Sequence, residues 1–526
     1  MRGLSAGRQA WGCPRGDSSS QPSHASALPL KTPKLLLRAD ATAAMGTGHV
    51  MRCLALAQAW QDMGGTVSLL ARDLPAALAA RCGEEGVTVL PFDPVAPDGE
   101  QTAAAARAAD WTVLDGYHFD AAFGEALARA ARRLLVVDDL GLPVPGAAAL
   151  VLNQNITADA GLYPPAAGGA GLLLGCRFAL LRREFRAPPP VRDFAEPCRR
   201  VLVTLGGSDP QQVTGRVIAA LRTLPGMEAR IIVGAVNPRL EELRALCAES
   251  DGRLEILAGV RNMVPLMDWA QMAVSAGGTS VLELASRALP TLLITVADNQ
   301  AAICALLAEA GVMRHAGWHH ELDVSTLAAM MQGLAEDGPR RARMAELGRA
   351  LVDGLGAVRV AGEMLARQAA EGIRLRRATL DDARLLLDWA NDPVTREVSF
   401  QSGVIAWETH LPWLERRLAS AQSLLLIAEE SAGVPLGMVR FDIGDAAAAG
   451  ATISINLAPA QRGRGLGPAL ILLGCRELRR AHGEMEIHAF IKPGNAASVR
   501  AFERAGFQPA APADVAGQAA LRMIQR

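Results

Sequence analysis

Residues 34–53 read KLLLRADATAAMGTGHVMRC, and this stretch decides the fold. Lys34–Arg38 is a short apolar run with strand character. The loop that follows carries Gly46 and Gly48. His49 then opens HVMRCLALAQAWQDMG, whose apolar residues recur at helical spacing. A second apolar run, Thr66–Ala71, comes next. Strand, loop, helix and strand in this order make a βαβ unit.

Outward from that unit the pattern repeats. Trp111–Leu114, Leu134–Val137 and Ala149–Leu152 read as strands, each ending in polar residues: Asp115, Asp138–Asp139 and Asn153–Gln154–Asn155. Ligands of open parallel sheets bind beyond the carboxyl ends of the strands, so these ends should line a crevice. After the Pro-rich stretch Ala187–Pro190 the pattern restarts. Arg200–Thr204 is followed by the turn Gly206–Gly207–Ser208–Asp209–Pro210. Strands Arg230–Val233, Leu254–Leu257, Met272–Ser275 and Thr291–Ile294 continue, and a helix through about Gln368 closes this half.

A third segment begins at Ile373–Arg377. Helices near 381–391 and 407–420 precede antiparallel strands Leu424–Glu429, Pro435–Arg440 and Ala451–Leu457. The turn Gln461–Gly467 then leads into a helix to about His482, a strand Glu486–Phe490 and a helix Ala496–Ala505. The expected class is α/β: two Rossmann-like domains facing across a cleft, plus a C-terminal α+β domain. The expected divisions are a disordered N-terminal extension (1–33), two Rossmann-like domains (34–190 and 191–370) and the third domain (371–526).

The chain has 526 residues, too many for one ordinary domain. Lys and Arg number 53 against 54 Asp and Glu, which argues against a dedicated nucleic-acid or membrane-surface binder. The eight cysteines are scattered, with no CxxC spacing and no His/Cys ligand cluster. They read as reduced thiols in a reducing, cytoplasmic compartment, and no metal site is expected. Residues 1–32 are rich in Ser, Gly, Arg and Pro and lack the apolar core of a signal peptide. No apolar stretch reaches the roughly 18 residues that a membrane span needs.

Two turns carry the candidate chemistry of the first two domains. At Gly46–Thr47–Gly48–His49 the glycines permit a tight turn and a close ligand approach. The helix dipole at this N-terminus disfavours an imidazolium, so a neutral His49 can take a proton from water; the other reading is a packed helix cap. At Ser275–Ala276–Gly277–Gly278–Thr279–Ser280, backbone N–H groups opening a helix make an anion site fit for a diphosphate. Glu283, one turn on, can accept hydrogen bonds from ribose hydroxyls, or can simply be a favourable first-turn acid.

Arg38–Ala39–Asp40 with Gly46–Thr47–Gly48–His49–Val50–Met51–Arg52–Cys53–Leu54 resembles the opening of the UDP-sugar hydrolase of pseudaminic acid biosynthesis. So do Asp138–Asp139–Leu140, Leu152–Asn155, Ala179–Phe185, Gly206–Pro210, the Ser275–Glu283 turn and Ala297–Asp298–Asn299–Gln300. The likeness runs over about 34–368 in the expected order. It implies a GT-B-like arrangement that gives the sugar to water, with UDP-2,4-diacetamido-2,4,6-trideoxy-β-L-altropyranose as substrate. It implies His49 as the base, Asp40, Asn299 and Gln300 as sugar contacts, and Gly277, Gly278, Thr279 and Glu283 as UDP contacts, with no metal required. A UDP-sugar glycosyltransferase, a legionaminic-type isomer as substrate, and a non-catalytic nucleotide-sugar sensor remain the alternatives.

In the third segment Gln461–Gly467 fits R-x-x-G-x-G between a strand and a helix. With Asn495, Ser498, Phe502 and Gly506–Phe507 the segment is similar to GNAT acetyltransferases over about 372–526. The resemblance implies acetyl-CoA as co-substrate. Arg462, Gly463, Arg464, Gly465 and Gly467 would hold its pyrophosphate, and Asn495 and Ser498 would approach the coenzyme. His410 and Trp413 resemble a branch that acetylates sugar amines, with helix packing as the other reading. Many such enzymes carry Tyr where this chain has Phe502, and Phe donates no proton; Glu429 and Asn456 are candidate helpers. The expected partners are thus small molecules, a nucleotide sugar and acetyl-CoA.

Overall fold

The computed structural model describes residues 32–42, 45–163, 169–206, 209–234, 237–444 and 450–526. Residues 1–31 of the expected N-terminal extension, and Gly207 and Ser208 of the second Gly-rich turn, lie outside the described residues.

The first sheet holds β1 (Lys34–Arg38), β2 (Thr66–Leu70), β3 (Thr88–Val89), β4 (Trp111–Asp115), β5 (Leu134–Val137), β6 (Leu150–Asn153) and β7 (Gly171–Leu174). Its order is β3-β2-β1-β4-β5-β6-β7, all parallel. Leu35, Leu36 and Leu37 are all buried, as a strand covered on both faces requires. Between β1 and β4 the winding reverses, so the loops leaving their carboxyl ends diverge and open a crevice. Helix α1 (Gly48–Asp62) starts from the loop after β1.

The second sheet repeats the plan with β8 (Arg200–Thr204), β9 (Glu228–Val233), β10 (Leu254–Ala258), β11 (Met272–Ala276), β12 (Thr291–Thr295) and β13 (Arg314–Trp318). Its order is β10-β9-β8-β11-β12-β13, with the reversal between β8 and β11. Helix α2 (Ser280–Ser286) leaves β11, and α3 (Asp298–Glu309) leaves β12. The glycine turns singled out in the sequence therefore sit at the reversal points of the two sheets, which face each other in a GT-B-like arrangement.

Helix α4 (Gly356–Ala369) departs from the expected division. It does not close the second domain. Ala357, Val358, Val360, Ala361 and Met364 enter the core of the first domain, and Ala366 enters that of the third. Its sequence, GAVRVAGEMLARQA, is apolar on too wide a face for one partner. Small residues admit both neighbours. A Cβ on Gly356 would run into the main chain of Phe178 and Ala179, and one on Gly362 would lie 3.4 Å from Leu472.

The third domain is α+β, with β14 (Ile373–Arg377), β15 (Ser423–Glu430), β16 (Pro435–Ile443), β17 (Ala451–Leu457), β18 (Ile487–Ile491), β19 (Gln508–Pro509), β20 (Ala513–Val515) and β21 (Gln518–Gln525). The order is β14-β15-β16-β17-β18-β21-β19, and β20 pairs with β21. All pairs are antiparallel except β17 and β18, which pair only at Ala451–Ile487 and Thr452–His488 and then separate. Helices α5 (Trp407–Ala419), α6 (Leu466–His482) and α7 (Ala496–Arg504) cover this sheet. Among the described residues no helix is long and apolar enough to cross a membrane, and the seven described cysteines are buried and unpaired.

Because Met364 fills the first domain from outside its sheet, Met364→Ala is expected to destabilise that domain by ~2–5 kcal/mol. Scanning calorimetry checks this; an unchanged first-domain transition would show that α4 is a peripheral strap.

Candidate active site

At the first reversal point a positive φ at Gly46 (75°) turns the chain into α1. His49, in its first turn, is buried and places Nδ1 2.7 Å from Oδ1 of Asp115, the last residue of β4. One turn on, Arg52 donates from Nε and Nη2 to the two oxygens of Asp115, both at 2.6 Å, and from Nη1 to Asp139 at 2.6 Å. Burial works against the charge on Asp115, but Arg52 and then His49 outweigh it and hold the carboxyl below the usual range. An ionised carboxylate only accepts. In the neutral ring, Nδ1 of His49 therefore carries the proton and Nε2 keeps its lone pair.

Tyr117 lies edge-on to this imidazole, with ring centroids 4.8 Å apart, and its hydroxyl donates to Asp139. Burial and then Asp139 push the phenol up from its ordinary value. Asp139 also accepts from Asn155 at 2.7 Å. Asp115, Asp139 and Asn155 thus converge as polar strand ends, while Asp138 and Asn153 instead fix the hydroxyl of Tyr163, at 2.7 and 3.0 Å.

Asp40 is placed differently from the sequence expectation of a sugar contact. It is buried, and protein donors occupy both its oxygens: Arg38 at 2.7 Å, the Arg72 amide at 2.6 Å, and His118 Nε2 at 2.8 Å. The carboxylate braces the loop and offers no open face.

A cavity of about 250 Å³ lies between the two Rossmann-like domains, with Gly48, Arg52 and Arg182 on one wall and Thr279, Ser280 and Glu283 on the other. Gly277 is a packing position: a Cβ there would meet Cys304 and Gln300 of α3. Gln300 is held through its amide oxygen. Its Oε1 accepts from the amides of Gly277 (3.2 Å) and Val296 (3.3 Å), so it braces the turn. Gly278 faces open space, and Thr279 and Asn299 are exposed. Glu283 is 3.2 Å from Arg182; burial raises its carboxyl and Arg182 opposes that rise. Arg81 and Arg261 line the same cavity. They tie the domains together, Arg81 donating to the Arg261 carbonyl at 3.1 Å and Arg261 pairing with Glu84 at 3.1 Å. The sequence reading missed this arginine group, since Arg81 and Arg261 lie in no motif and Arg182 was seen only within Ala179–Phe185.

In the third domain Gly463 and Gly465 both have φ of 76°, a left-handed backbone of the kind that can turn successive main-chain amides toward an anion before α6. Gly467 instead lets α6 approach α7, since a Cβ there would lie 3.2 Å from Ala501. Arg462 does not present free charge to the loop: it donates to Asp392 at 2.6 Å and Thr395 at 2.8 Å. Arg464 bonds Gln461 and Glu430. Asn495 accepts from the Ser498 amide at 3.1 Å, capping α7. Phe502 is buried against Phe507, with centroids 4.9 Å apart. His410 donates from Nε2 to the Ala383 carbonyl at 3.0 Å and stacks near Trp413, which is helix packing. Glu429 is paired with Arg376 at 2.6 Å, and Asn456 donates to the Trp389 carbonyl at 2.9 Å.

Residues 373–508 match the family described as Acetyltransferase (GNAT) domain. The spore coat polysaccharide biosynthesis protein SpsG of Bacillus subtilis (strain 168) is 29% identical over 196 residues, 37% of this chain. The chain spans 58% of the length of that relative. Among solved structures, Acinetobacter baumannii MurG aligns at 16% identity and TM-score 0.46, covering 63% of this chain and 99% of its own. An aminoglycoside acetyltransferase AAC(6')-Ib in complex with coenzyme A aligns at 23% identity and TM-score 0.26, covering 29% of this chain and 94% of its own.

The Asp115–His49 pairing predicts a tautomer. Imidazole nitrogen-15 NMR should report Nδ1–H for neutral His49 and a shift toward Nε2–H in Asp115→Asn, whose amide can be turned to donate. The same tautomer in both proteins would show that Asp115 does not orient the ring.

Proposed function

We propose that the first two domains hydrolyse a UDP-linked 2,4-diacetamido-2,4,6-trideoxyhexose to UDP and free sugar. The observation that carries this reading is the hydrogen bond from His49 Nδ1–H to buried Asp115, which leaves Nε2 its lone pair in a helix turn whose Thr47, Gly48, Met51 and Arg52 line an interdomain cavity. Water gives its proton to Nε2 and its oxygen bonds the anomeric carbon, while the bond from that carbon to the diphosphate oxygen breaks. The charge developing on the diphosphate meets Arg81 and Arg182 and the amides opening α2, an arrangement that stabilises a leaving anion without a metal. Glu283 suits the ribose hydroxyls, with Arg182 partly balancing its charge. Asn299, exposed at the start of α3, is free to reach the sugar. The likeness to a protein named for polysaccharide biosynthesis supports a carbohydrate-building role.

The third domain, in this reading, transfers acetyl from acetyl-CoA to the 4-amino group of the UDP-amino-sugar precursor. The amine nitrogen bonds the thioester carbon and the carbon–sulfur bond breaks. The amide seat at Gly463 and Gly465 receives the coenzyme pyrophosphate. The gap where β17 and β18 part leaves main-chain groups for the rest of the coenzyme. Phe502 supplies no proton to the thiolate, so water or the substrate ammonium does so. The GNAT match over 373–508 and a relative named for polysaccharide biosynthesis support consecutive steps of one route. The cytoplasm is the fitting place for both substrates.

Mass spectrometry on the UDP-4-amino sugar, acetyl-CoA and oxygen-18 water tests both halves. The expected product is an acetylated free sugar carrying one heavy oxygen; transfer to an alcohol acceptor without label would favour a glycosyltransferase. His49→Gln is expected to slow UDP release by about 10²–10⁴-fold while acetylation continues. Gly465→Val, forced from a left-handed backbone, should do the reverse. If His49→Gln left UDP release intact, the hydrolase reading would fail.

A further inference from the structure

The geometry points to His118 as the residue through which the first domain reads the sugar, in the role that the family resemblance implies for Asp40. The inference rests on the hydrolase reading only in placing a sugar at this crevice.

β4 ends at Asp115, and the turn after it delivers Tyr117 against His49 and His118 onto Asp40. Since β1 and β4 are neighbours at the reversal of the sheet, two histidine–carboxylate pairs stand side by side there. They face opposite ways. His49 bonds its carboxylate through Nδ1, and His118 bonds its own through Nε2, at 2.8 Å. Burial opposes the charge on Asp40, but the Arg38 guanidinium outweighs it, so this carboxylate too only accepts. In the neutral ring, Nε2 of His118 therefore carries the proton and Nδ1 keeps a lone pair. Nδ1 has no hydrogen-bond partner among the described residues, and the side chain is 36% exposed.

The ring is seated from several sides. Asp40 fixes one nitrogen, and Phe119 lies against the face with centroids 3.9 Å apart. Gly116 clears the space: a Cβ there would come within 2.7 Å of Cε1 and 2.9 Å of Nδ1. The charged groups behind it are Asp40, Arg38 beyond that, and Asp98, which takes the second arm of Arg38 at 2.6 Å. In its neutral form, an acceptor held at the reversal between β1 and β4 selects for a donor. The ligand it fits is a sugar bearing an acetamido N–H or a hydroxyl at the position facing Nδ1. Asp40 itself, sealed behind the ring, acts through His118 as a positioning residue.

The test compares His118→Phe, which keeps the ring packing and removes the acceptor, with His118→Gln, whose amide can bond Asp40 and still present an oxygen. KM and kcat for UDP release, and calorimetric Kd for UDP and for the intact UDP-diacetamido sugar, are measured on the full chain. His118→Phe is expected to raise KM and the UDP-sugar Kd about tenfold, with kcat and UDP affinity changed less than about twofold. His118→Gln should recover most of the loss. An unchanged UDP-sugar Kd in His118→Phe overturns the assignment, as does an equal weakening of UDP alone or a Gln variant no better than Phe. If the wild-type protein releases no UDP into water, the hydrolase reading fails, and the UDP-sugar Kd still decides the role of His118.

Discussion

The site of the first domain depends on one buried carboxylate. Asp115 has no exposed surface, and Arg52 and His49, both from the first two turns of α1, share its oxygens. A charge in such a place is tolerated only when fully paired, and removing one partner of a buried pair costs about 3–5 kcal/mol. The helix cannot rotate or slide without leaving that charge uncompensated. The same pairing fixes which ring nitrogen is basic, so the force that docks α1 on the sheet also sets the chemistry of His49.

Sheet winding supplies the rest of the geometry. In each Rossmann-like domain the strand order reverses beside the innermost pair, β1/β4 in one and β8/β11 in the other. The crevices formed there face each other. Arg52, Arg81, Arg182 and Arg261 line the cavity between, and carboxylates pair with three of them: Asp115 and Asp139 with Arg52, Glu184 and Glu283 with Arg182, and Glu84 with Arg261.

Much of the fold could be read from the sequence, because buried parallel strands are written as uninterrupted apolar runs. Lys34–Arg38, Leu134–Val137 and Arg200–Thr204 are such runs, and their bounds agree with the observed strands. The strands that were not read include edge or minimal ones, but also β21, whose eight residues QAALRMIQ carry only a broken apolar pattern although it lies between β18 and β19. β3 has two residues, and β13 is RHAGW, half-buried and without an apolar core. Of the site, His49 was legible because glycines and a helix start surround it. Asp115 could be read only as a polar strand end, because its pairing with His49 depends on β1 and β4 being neighbours, 66 residues apart in sequence. Arg462 misled for the same reason. An arginine in a glycine-rich turn reads as a phosphate ligand until the fold brings Asp392, 70 residues earlier, against it.

Helix α4 has a mechanical consequence. It leaves the second Rossmann-like domain, embeds in the first and carries the acetyltransferase-like domain on its far side. The chain passes between the two Rossmann-like domains twice, near 187–190 and near 352–355. Any swing of one Rossmann-like domain against the other would turn about those two crossings. The third domain, sharing α4 with the first, would then travel with His49, and the distance between the glycine turn before α6 and the turn before α1 would stay fixed.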